Sequence, residues 1–263
     1  MISKLASVHP KARIGGDTTV DAFATIHEDV EIGKNCWIGP NAVIMNGARI
    51  GNNVKVFPGA VISGDPQDLK YQGESTTVEV GDNTIIREYV TLNKGTKTNE
   101  RTVIGKDCLI MSYVHIAHDC VLRDRVIMGS YAGLAGEVHV DSWAIISPGS
   151  LIHQFVRIGA HVMIQGGSKV SKDVPPYILA GREPVSFTGI NSIGLRRRGY
   201  DNDTIYAIQE VYRIIYQRGL NISDAVDFVE ANLPASRERD EIILFIRDSK
   251  RGIIRGYFDG KQE

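Results

Sequence analysis

A six-residue period is the feature of this sequence that most limits what the chain can fold into. Every sixth position carries a bulky apolar side chain, and the phase survives two gaps. The fourth position after each of these is mostly a small residue such as Ala, Val, Cys or Ser. This pattern is the signature of a parallel β-helix. The bulky positions are Ile2, Val8, Ile14, Val20, Ile26, Ile32, Ile38, Ile44, Ile50, Val56, Ile62, Val80, Ile86, Leu92, Ile104, Ile110, Ile116, Leu122, Met128, Leu134, Val140, Ile146, Ile152, Ile158, Ile164 and Val170.

Three such units make one triangular coil of about 18 residues, and successive coils stack roughly 4.8 Å apart. Glycine often follows the bulky residue, as at Gly15 and Gly33, where we expect a turn with positive φ. The cysteines Cys36, Cys108 and Cys120 all occupy the small inward position. We therefore interpret them as buried apolar residues, and not as metal ligands or a disulfide.

Two insertions interrupt the repeat without changing its phase. They cover residues 63–79 and 93–103, so the chain must loop out and return to the same stack. Insertions in solenoids tend to lie on the working face. We predict a β-helical catalytic domain over residues 1–190 that carries both loops.

The pattern changes after the proline pair at 175–176. Apolar residues at helical spacing then predict helices over 203–218, 224–232 and 238–249. Residues 191–263 are therefore predicted to form a small C-terminal α-helical domain. It could cover the open end of the stack, since repeat folds need caps.

Charge and hydropathy exclude several classes of protein. The 263 residues carry a net charge of −1 with a pI near 6.7, which argues against a general nucleic-acid binder. No apolar run reaches the roughly 18–20 residues of a transmembrane helix. The first residues also lack the apolar segment of a secretory signal. We expect a cytoplasmic protein with no transmembrane segment and no nucleic-acid partner.

The coil length places outward residues of successive coils above one another. Gly136 and Gln154 should stack on His118, with His153 in the neighbouring column. A histidine beside an aspartate, Asp119, suits general-base work on a hydroxyl because imidazole titrates near neutrality. The N–H of Gly136, with no side chain to block approach, suits a developing oxyanion.

Other polar residues allow more than one interpretation. The arginines at 196–198 are either a solvated run or a phosphate clamp. Histidines of a prism can also bind zinc, but the spacing of His115 and His118 differs from that expected of the hexapeptide carbonic anhydrases. We predict no metal and no cofactor. The other histidines are predicted to be ordinary surface residues: His9, His27, His139 and His161.

An ordered set of segments carries a family resemblance: DPQDLKYQGE, IREYVTLNKGT, HIAHDC, IHQFVRIGAHVM, DVPPY and GLRRRG. The chain resembles, over nearly its whole length, the UDP-N-acetylglucosamine O-acyltransferases of lipid A biosynthesis. This resemblance implies a mainly β fold, with a left-handed parallel β-helix before the helical domain, and a homotrimer. It also implies transfer of an (R)-3-hydroxyacyl group from acyl carrier protein to the 3-hydroxyl of UDP-N-acetylglucosamine.

The resemblance further implies roles for individual residues. His118 would be the general base, Asp119 would orient it, and Gly136 would bind the oxyanion. Gly166 stands where some members carry a larger side chain, which implies that a long acyl chain is accepted. The residues implied to bind substrate are Asp68, Lys70, His115, His153, Gln154, Gly166, Asn191, Arg197 and Arg198.

Three residues depart from the family pattern. Glu137 stands where some members have histidine, and Pro184 and Ile193 replace polar residues near the acyl-chain end and the uridine. Three rival functions remain open. The sibling N-acyltransferases have a uridine-binding domain before the prism, for which a first repeat at residue 2 leaves no room. The others are a zinc carbonic anhydrase and a non-catalytic prism that binds a sugar nucleotide.

Overall fold

The structure is a computed structural model and describes residues 1–256. Strands of two to five residues form three sheets. Sheet I contains β1 Ser7–Val8, β4 Thr25–Ile26, β7 Val43–Ile44, β10 Val61–Gly64, β13 Thr91–Asn93, β16 His115–Ile116, β19 Gly133–Leu134, β22 Leu151–Ile152 and β25 Lys169–Val170. Sheet II contains β2 Arg13–Ile14, β5 Val30–Ile32, β8 Ala48–Ile50, β11 Thr77–Val80, β14 Arg101–Ile104, β17 Val121–Leu122, β20 His139–Val140 and β23 Arg157–Ile158. Sheet III contains β3 Thr19–Val20, β6 Trp37–Ile38, β9 Lys55–Val56, β12 Ile85–Ile86, β15 Leu109–Ile110, β18 Ile127–Met128, β21 Ile145–Ile146, β24 Met163–Ile164, β26 Ile178–Gly181, β27 Ser186–Ile190 and β28 Arg255–Gly256.

Each strand of the prism pairs in parallel with the strand three elements later, one coil further on. The insertions keep this register, because Ile62 pairs with Leu92 and Leu92 with Ile116. Strands extend into both predicted insertions, which leaves a first insertion loop at 65–76 and a second at 94–100. The inward face of every strand therefore stays the same throughout the stack.

The inward residues fill the prism. Bulky Ile38 and Ile110 and small Ala42 have no exposed surface, and burying each isoleucine stabilises the fold by about 1.5–3 kcal/mol. Burial raises the pKa of Cys108 to about 11 and that of Cys120 to about 12. The thiols are thus neutral packing residues, as the repeat predicts.

The role predicted for the repeat glycines is wrong. Left-handed backbone occurs two residues after them, for example at Asp17 and Asn35, with φ of 59° and 55°. At Gly15 the constraint is space, since a Cβ there would lie 2.6 Å from the carbonyl carbon of Gly33. Glycine is required where consecutive coils touch.

Past the prism, β26 and β27 form an antiparallel hairpin on sheet III, which the repeat did not predict. Helices follow at α1 Ser192–Arg197, α2 Asn202–Gln217, α3 Ile222–Asn232 and α4 Arg237–Arg247. The last three occupy the segments predicted to be helical. Asp201, Asn221 and Ser236 cap them by accepting a backbone N–H of the first turn. Residues 257–263 of the predicted helical domain lie outside the described residues.

The helices pack on the last coils. The hydroxyl of Tyr212 donates to the Pro176 carbonyl at 2.7 Å, and that of Tyr177 donates to Glu241 Oε2 at 2.6 Å. The ring of Phe187 in the hairpin stacks on Tyr216 of α2, with centroids 4.7 Å apart. The helical region thereby covers the open end of the stack.

Candidate active site

The three corners of the prism carry different functional side chains. His118 and Asp119 lie between sheets I and II, directly after β16, and this is the His118 corner. His161 lies between sheets II and III, directly after β23, at the His161 corner. Gly166 lies between sheets III and I, after β24. Residues that the sequence grouped into one site are thus distributed around one prism.

A histidine–aspartate pair occupies the His118 corner. His118 Nδ1 lies 2.8 Å from Asp119 Oδ2, and Asp119 is completely buried in left-handed backbone with φ 61°. The second insertion loop supplies its other partners: Thr96 Oγ1 donates to Oδ2 at 2.6 Å, and the N–H groups of Thr96 and Asn99 donate to Oδ1. So many donors stabilise the carboxylate. Nδ1 therefore carries the imidazole proton, and Nε2 is free to accept one.

The space beside Nε2 is shaped by glycine and by the first insertion loop. A Cβ on Gly136 would lie 2.5 Å from both Cε1 and Nε2 of His118, so any other residue there would displace the ring. Within residues 1–256, the Gly136 N–H has no hydrogen-bond partner. Asp68 Oδ2 lies 3.9 Å from Nε2, and Asp68 Oδ1 accepts from the Lys70 N–H at 2.9 Å. The Lys70 side chain is exposed.

Sheet I brings two further predicted residues near this corner. His115 Nδ1 lies 2.8 Å from Thr91 Oγ1, and burial lowers the pKa of His115, so its ring is neutral at pH 7. His153 is exposed and its Nδ1 lies 3.1 Å from the Gln154 carbonyl oxygen. Gln154 is half-buried two coils beyond His118.

Asn191 and Arg198 lie at the His161 corner. Asn191 is buried and caps α1 by accepting the Gly194 N–H at 3.2 Å, while its Nδ2 donates to the His161 carbonyl at 2.8 Å. Arg198 Nη1 donates to His161 Nδ1 at 3.2 Å. Arg197 is exposed at the end of α1. The amide of Asn191 is therefore engaged by the protein itself, and the arginines are the groups left to meet an anion.

The prediction that His161 is a surface residue is wrong. Only 9% of it is exposed, because Tyr177 and Tyr200 cover its ring, with centroids 5.5 and 5.3 Å away. Burial, with the charges of Arg198 and Arg237, lowers its pKa to about 4. The repeat shows only that residue 161 turns a corner, and the cover comes from residues after the prism.

His161 also borders a cavity of about 570 Å³ at this corner. Arg123, Arg198 and Arg237 line it together with Trp143, and so do the carboxyl groups of Asp141 and Glu241. The guanidinium of Arg198 stands 5.0 Å from the centre of the Trp143 ring. Three guanidinium groups against two carboxyl groups leave an excess of cations, which suits an anionic ligand.

The remaining predicted positions are more open. A Cβ on Gly166 would meet a backbone oxygen at 3.3 Å, so a larger side chain needs only a small shift. The Glu137 N–H donates to the His118 carbonyl at 3.0 Å. Pro184 lies in the turn of the β26–β27 hairpin, and Ile193 is 64% exposed on α1.

The structure thus brings Asp68, His118, Asp119 and Gly136 together, whereas Arg198 lies at a different corner of the prism. Sequence reasoning missed Thr96, which holds Asp119 in place. Its signal was its position in an insertion that precedes the HIAHD segment by one coil. Within residues 1–256 no three His, Cys, Asp or Glu side chains are grouped as a metal site requires, and no helix is long and apolar enough to cross a membrane.

A β-helix of hexapeptide repeats with a histidine–aspartate pair at its corner defines an acyltransferase of the hexapeptide class. Residues 29–64 and 101–136 match the family model of the bacterial transferase hexapeptide (six repeats). Residues 173–254 match the model of UDP-N-acetylglucosamine O-acyltransferase, domain 2.

Relatives of known name agree. An acyl-[acyl-carrier-protein]–UDP-N-acetylglucosamine O-acyltransferase from Burkholderia mallei is 41% identical over 199 residues, 74% of this chain and 76% of that protein. The crystal structure of a UDP-N-acetylglucosamine acyltransferase from Bacteroides fragilis has a TM-score of 0.95 and 54% identity, and covers 97% of this chain and 100% of that one. The enzyme from Francisella novicida has a TM-score of 0.94 and 37% identity, over 97% and 94%. The chain belongs to the UDP-N-acetylglucosamine O-acyltransferase family, and its prism is the left-handed β-helix that the resemblance predicted.

Proposed function

We propose that this protein transfers a long-chain (R)-3-hydroxyacyl group from acyl carrier protein to the 3-hydroxyl of UDP-N-acetylglucosamine, the first step of lipid A biosynthesis, in the cytoplasm. The observation that carries the proposal is the His118–Asp119 pair, with Gly136 against the imidazole. The curated relatives are acyl-[acyl-carrier-protein]–UDP-N-acetylglucosamine O-acyltransferases, and the His118 corner offers a base and an N–H donor, which such a transfer needs.

The pair can perform the transfer in two steps. His118 Nε2 takes the proton of the sugar hydroxyl as its oxygen bonds to the thioester carbonyl carbon, while Asp119 stabilises the imidazolium that forms. The tetrahedral oxyanion accepts a hydrogen bond from the Gly136 N–H. The carbon–sulfur bond then breaks, Nε2–H gives the proton to the departing thiolate of the carrier, which leaves as the thiol, and the ester remains on the sugar.

We infer the substrate contacts from the surrounding groups. Asp68 and Lys70 of the first insertion loop would contact the sugar. His115, which is neutral, would line the groove beside them. The open surface at Gly166 leaves room for a long acyl chain. A preference of the enzyme for a ten-carbon donor over a fourteen- to sixteen-carbon donor would contradict this inference. A matched test is Gly166→Leu, which should shift the preference towards shorter donors.

The other predicted groove and nucleotide residues complete the proposal. His153 and Gln154 would continue the groove above His118. Asn191 would contribute by holding α1 in place, and Arg197 and Arg198 would bind the diphosphate, to which guanidinium groups are well suited.

A homotrimer is part of the proposal, and two observations support it. One prism separates Arg198 from His118, so a groove between neighbouring copies could bring both to one substrate. From β12 onward the outward positions of sheet III are also apolar, whereas many of those on sheet II are charged. The apolar residues of sheet III are Ile85, Leu109, Ile127, Ile145 and Met163, which follow Thr19, Trp37 and Lys55 of the earlier coils, and the charged residues of sheet II include Arg13, Glu31, Arg49, Glu79 and Arg157.

The interface is open to a direct test. Leu109→Glu places a charge at the centre of the apolar face and should convert the trimer into monomers in sedimentation, with loss of activity. Arg49→Glu on sheet II is the matched control and should leave the assembly intact. A wild-type monomer with full activity would contradict the trimer.

The decisive assay incubates the purified protein with UDP-N-acetylglucosamine and a panel of 3-hydroxyacyl carrier proteins, followed by mass analysis of the product. We expect one ester on the sugar. Acylation only of an amino sugar would favour the sibling N-acyltransferases. Tight sugar-nucleotide binding without turnover would favour the non-catalytic prism.

A further inference from the structure

Two insertion loops meet at the His118 corner, one beside the imidazole itself and the other at its partner Asp119. The second insertion loop holds Asp119 through Thr96. The first insertion loop carries Asp68, whose Oδ2 lies 3.9 Å from Nε2. Asp119 belongs to the prism, so the order of the strands fixes its position. Asp68 lies in an insertion, and the repeat does not fix its position relative to His118.

The contacts that fix Asp68 come from two residues of the coil below His118. Asn93 ends β13, and its Nδ2 donates to the Asp65 carbonyl at 2.8 Å. Lys94 Nζ lies 2.9 Å from Asp65 Oδ1, and its backbone N–H donates to the Gly64 carbonyl at 3.0 Å. Both residues thus hold the start of the first insertion loop.

Lys94 is an unusual surface lysine. Only 13% of its side chain is exposed, and Nζ lies 5.7 Å from the centre of the Tyr71 ring, on the far side of Asp68 in the chain. Burial alone would lower the pKa of Lys94, but its contacts with Asp65 and Tyr71 raise it. The ammonium is therefore charged at every working pH, and it joins residues on both sides of Asp68.

Apolar packing contributes at Pro66, which is buried, but it cannot hold the outer part of the loop. Leu69 is fully exposed, and Gln67 and Lys70 are exposed as well. The end of the loop is tied separately, since Thr76 Oγ1 donates to the Gly95 carbonyl. Beside the buried Pro66, Lys94 and Asn93 are therefore the residues whose side chains hold the half of the loop that carries Asp68.

We infer that Asn93 and Lys94 are positioning residues for the acyl transfer, which hold the first insertion loop so that Asp68 stays beside His118 Nε2. The inference rests on the proposed function for its effect on rate. It also predicts a property of the loop that can be measured without any substrate.

The kinetic test is a double-mutant cycle with Lys94→Met and Asp68→Ala. Displacing a reacting group by about 1 Å can cost up to roughly a hundredfold, so we expect Lys94→Met to lower kcat/KM by about tenfold or more. In the Asp68→Ala background the same change should cost less than about twofold, because its effect passes through Asp68. Lys94→Arg, which keeps the ion pair with Asp65, should recover most of the rate.

Lys106→Met is the matched control. Lys106 forms an inter-coil ion pair with Asp82, at 3.6 Å on the exposed surface, and its loss should leave kcat/KM unchanged. An equal loss from Lys94→Met in both backgrounds, or an equal loss from Lys106→Met, would overturn the positioning role.

The substrate-free test is amide hydrogen exchange at Lys70 and Tyr71, whose N–H groups donate to Asp68. Lys94→Met should speed exchange there by on the order of tenfold and leave the prism strand at Ile127 unchanged. Unchanged exchange at Lys70 and Tyr71 would overturn the inference. If the wild-type protein forms no acylated sugar, the proposed function fails, and the exchange result alone decides whether Lys94 holds the loop.

Discussion

His118 and His161 are two histidines of one prism, two and three residues after a bulky inward residue, and their burial is nearly equal, at 8% and 9% exposed. At the His118 corner the partner of Nδ1 is the carboxylate of Asp119, and Nε2 faces a glycine. At the His161 corner Nδ1 accepts from Arg198, and Nε2 lies 3.3 Å from the Tyr200 hydroxyl. Both nitrogens of His161 are therefore occupied.

The comparison shows that burial does not separate the proposed base from a histidine that only packs. At His118 one ring nitrogen has an anionic partner and the other faces a glycine, which is the geometry that the proposed general base needs. Cationic and aromatic neighbours keep His161 neutral, and its two ring nitrogens form hydrogen bonds with Arg198 and Tyr200. The same residue type thus has the surroundings of the proposed base at one corner and those of a packing residue at the other.

The largest expected effect is the loss of the base. His118→Ala should lower kcat by about 10²–10⁴-fold, the usual contribution of a general base, with the fold unchanged by circular dichroism. His139→Ala, an exposed histidine of sheet II, is the control and should stay near wild type. Wild-type kcat in His118→Ala would remove the distinction between the two corners.

The next effect concerns the anion beside the base. Asp119→Asn puts an amide where Thr96 and Asn99 donate, and it removes the negative partner of the imidazolium. We expect kcat to fall by about 10²-fold or more. The free energy of unfolding should also fall by about 1–3 kcal/mol, because a buried donor loses its acceptor.

Asp17→Asn tests the same substitution at a corner with the same left-handed backbone, φ 59°. In this variant kcat, measured by steady-state kinetics, and the free energy of unfolding, measured in urea, should both stay near the wild-type values. A drop equal to that of Asp119→Asn would show that any corner aspartate matters in this way.

A smaller loss should follow from closing the space beside Nε2. Gly136→Ala places a Cβ 2.5 Å from the imidazole, so the ring must move, and we expect kcat/KM to fall by about ten- to a hundredfold. Gly16→Ala meets no atom within 4 Å and should be silent. Full activity in Gly136→Ala would exclude this N–H and this geometry from the site.

The smallest effect is a pH dependence of stability at the other corner. His161 has a pKa of about 4 in the folded protein against 6.5 ordinarily. At a pH between these two pKa values, His161 is protonated in the unfolded chain and neutral in the folded chain. The free energy of unfolding contributed by this group should therefore fall as the pH drops, by about 2 kcal/mol from pH 7 to pH 5.

His161→Gln keeps an acceptor for Arg198 but cannot titrate. Urea unfolding measures the free energy of unfolding at pH 7 and at pH 5. The decrease between the two pH values should be about 2 kcal/mol smaller in the variant than in the wild type. An identical decrease in the two proteins would mean that folding does not lower the pKa of His161. The two corners would then differ only in geometry.

The six-residue period by itself determined the prism, the inward residues and the register that places Gly136 against His118. These follow from the sequence because one bulky and one small residue per strand fix which residues face inward and how far each coil is from the next, whereas the left hand of the coil was implied only by the family resemblance. It also determined that Cys36, Cys108 and Cys120 are buried. Helical spacing located the last three helices for the same local reason.

Tertiary structure alone decided which outward residues remain available. Thr96 and Asp68 reach the His118 corner because their loops fold back over a coil, and no period describes a loop. His161 is buried only because residues after the prism cover it, while Arg198 lies at that corner because α1 packs there. Such contacts join segments far apart in the chain, so a local pattern of residues contains no information about them.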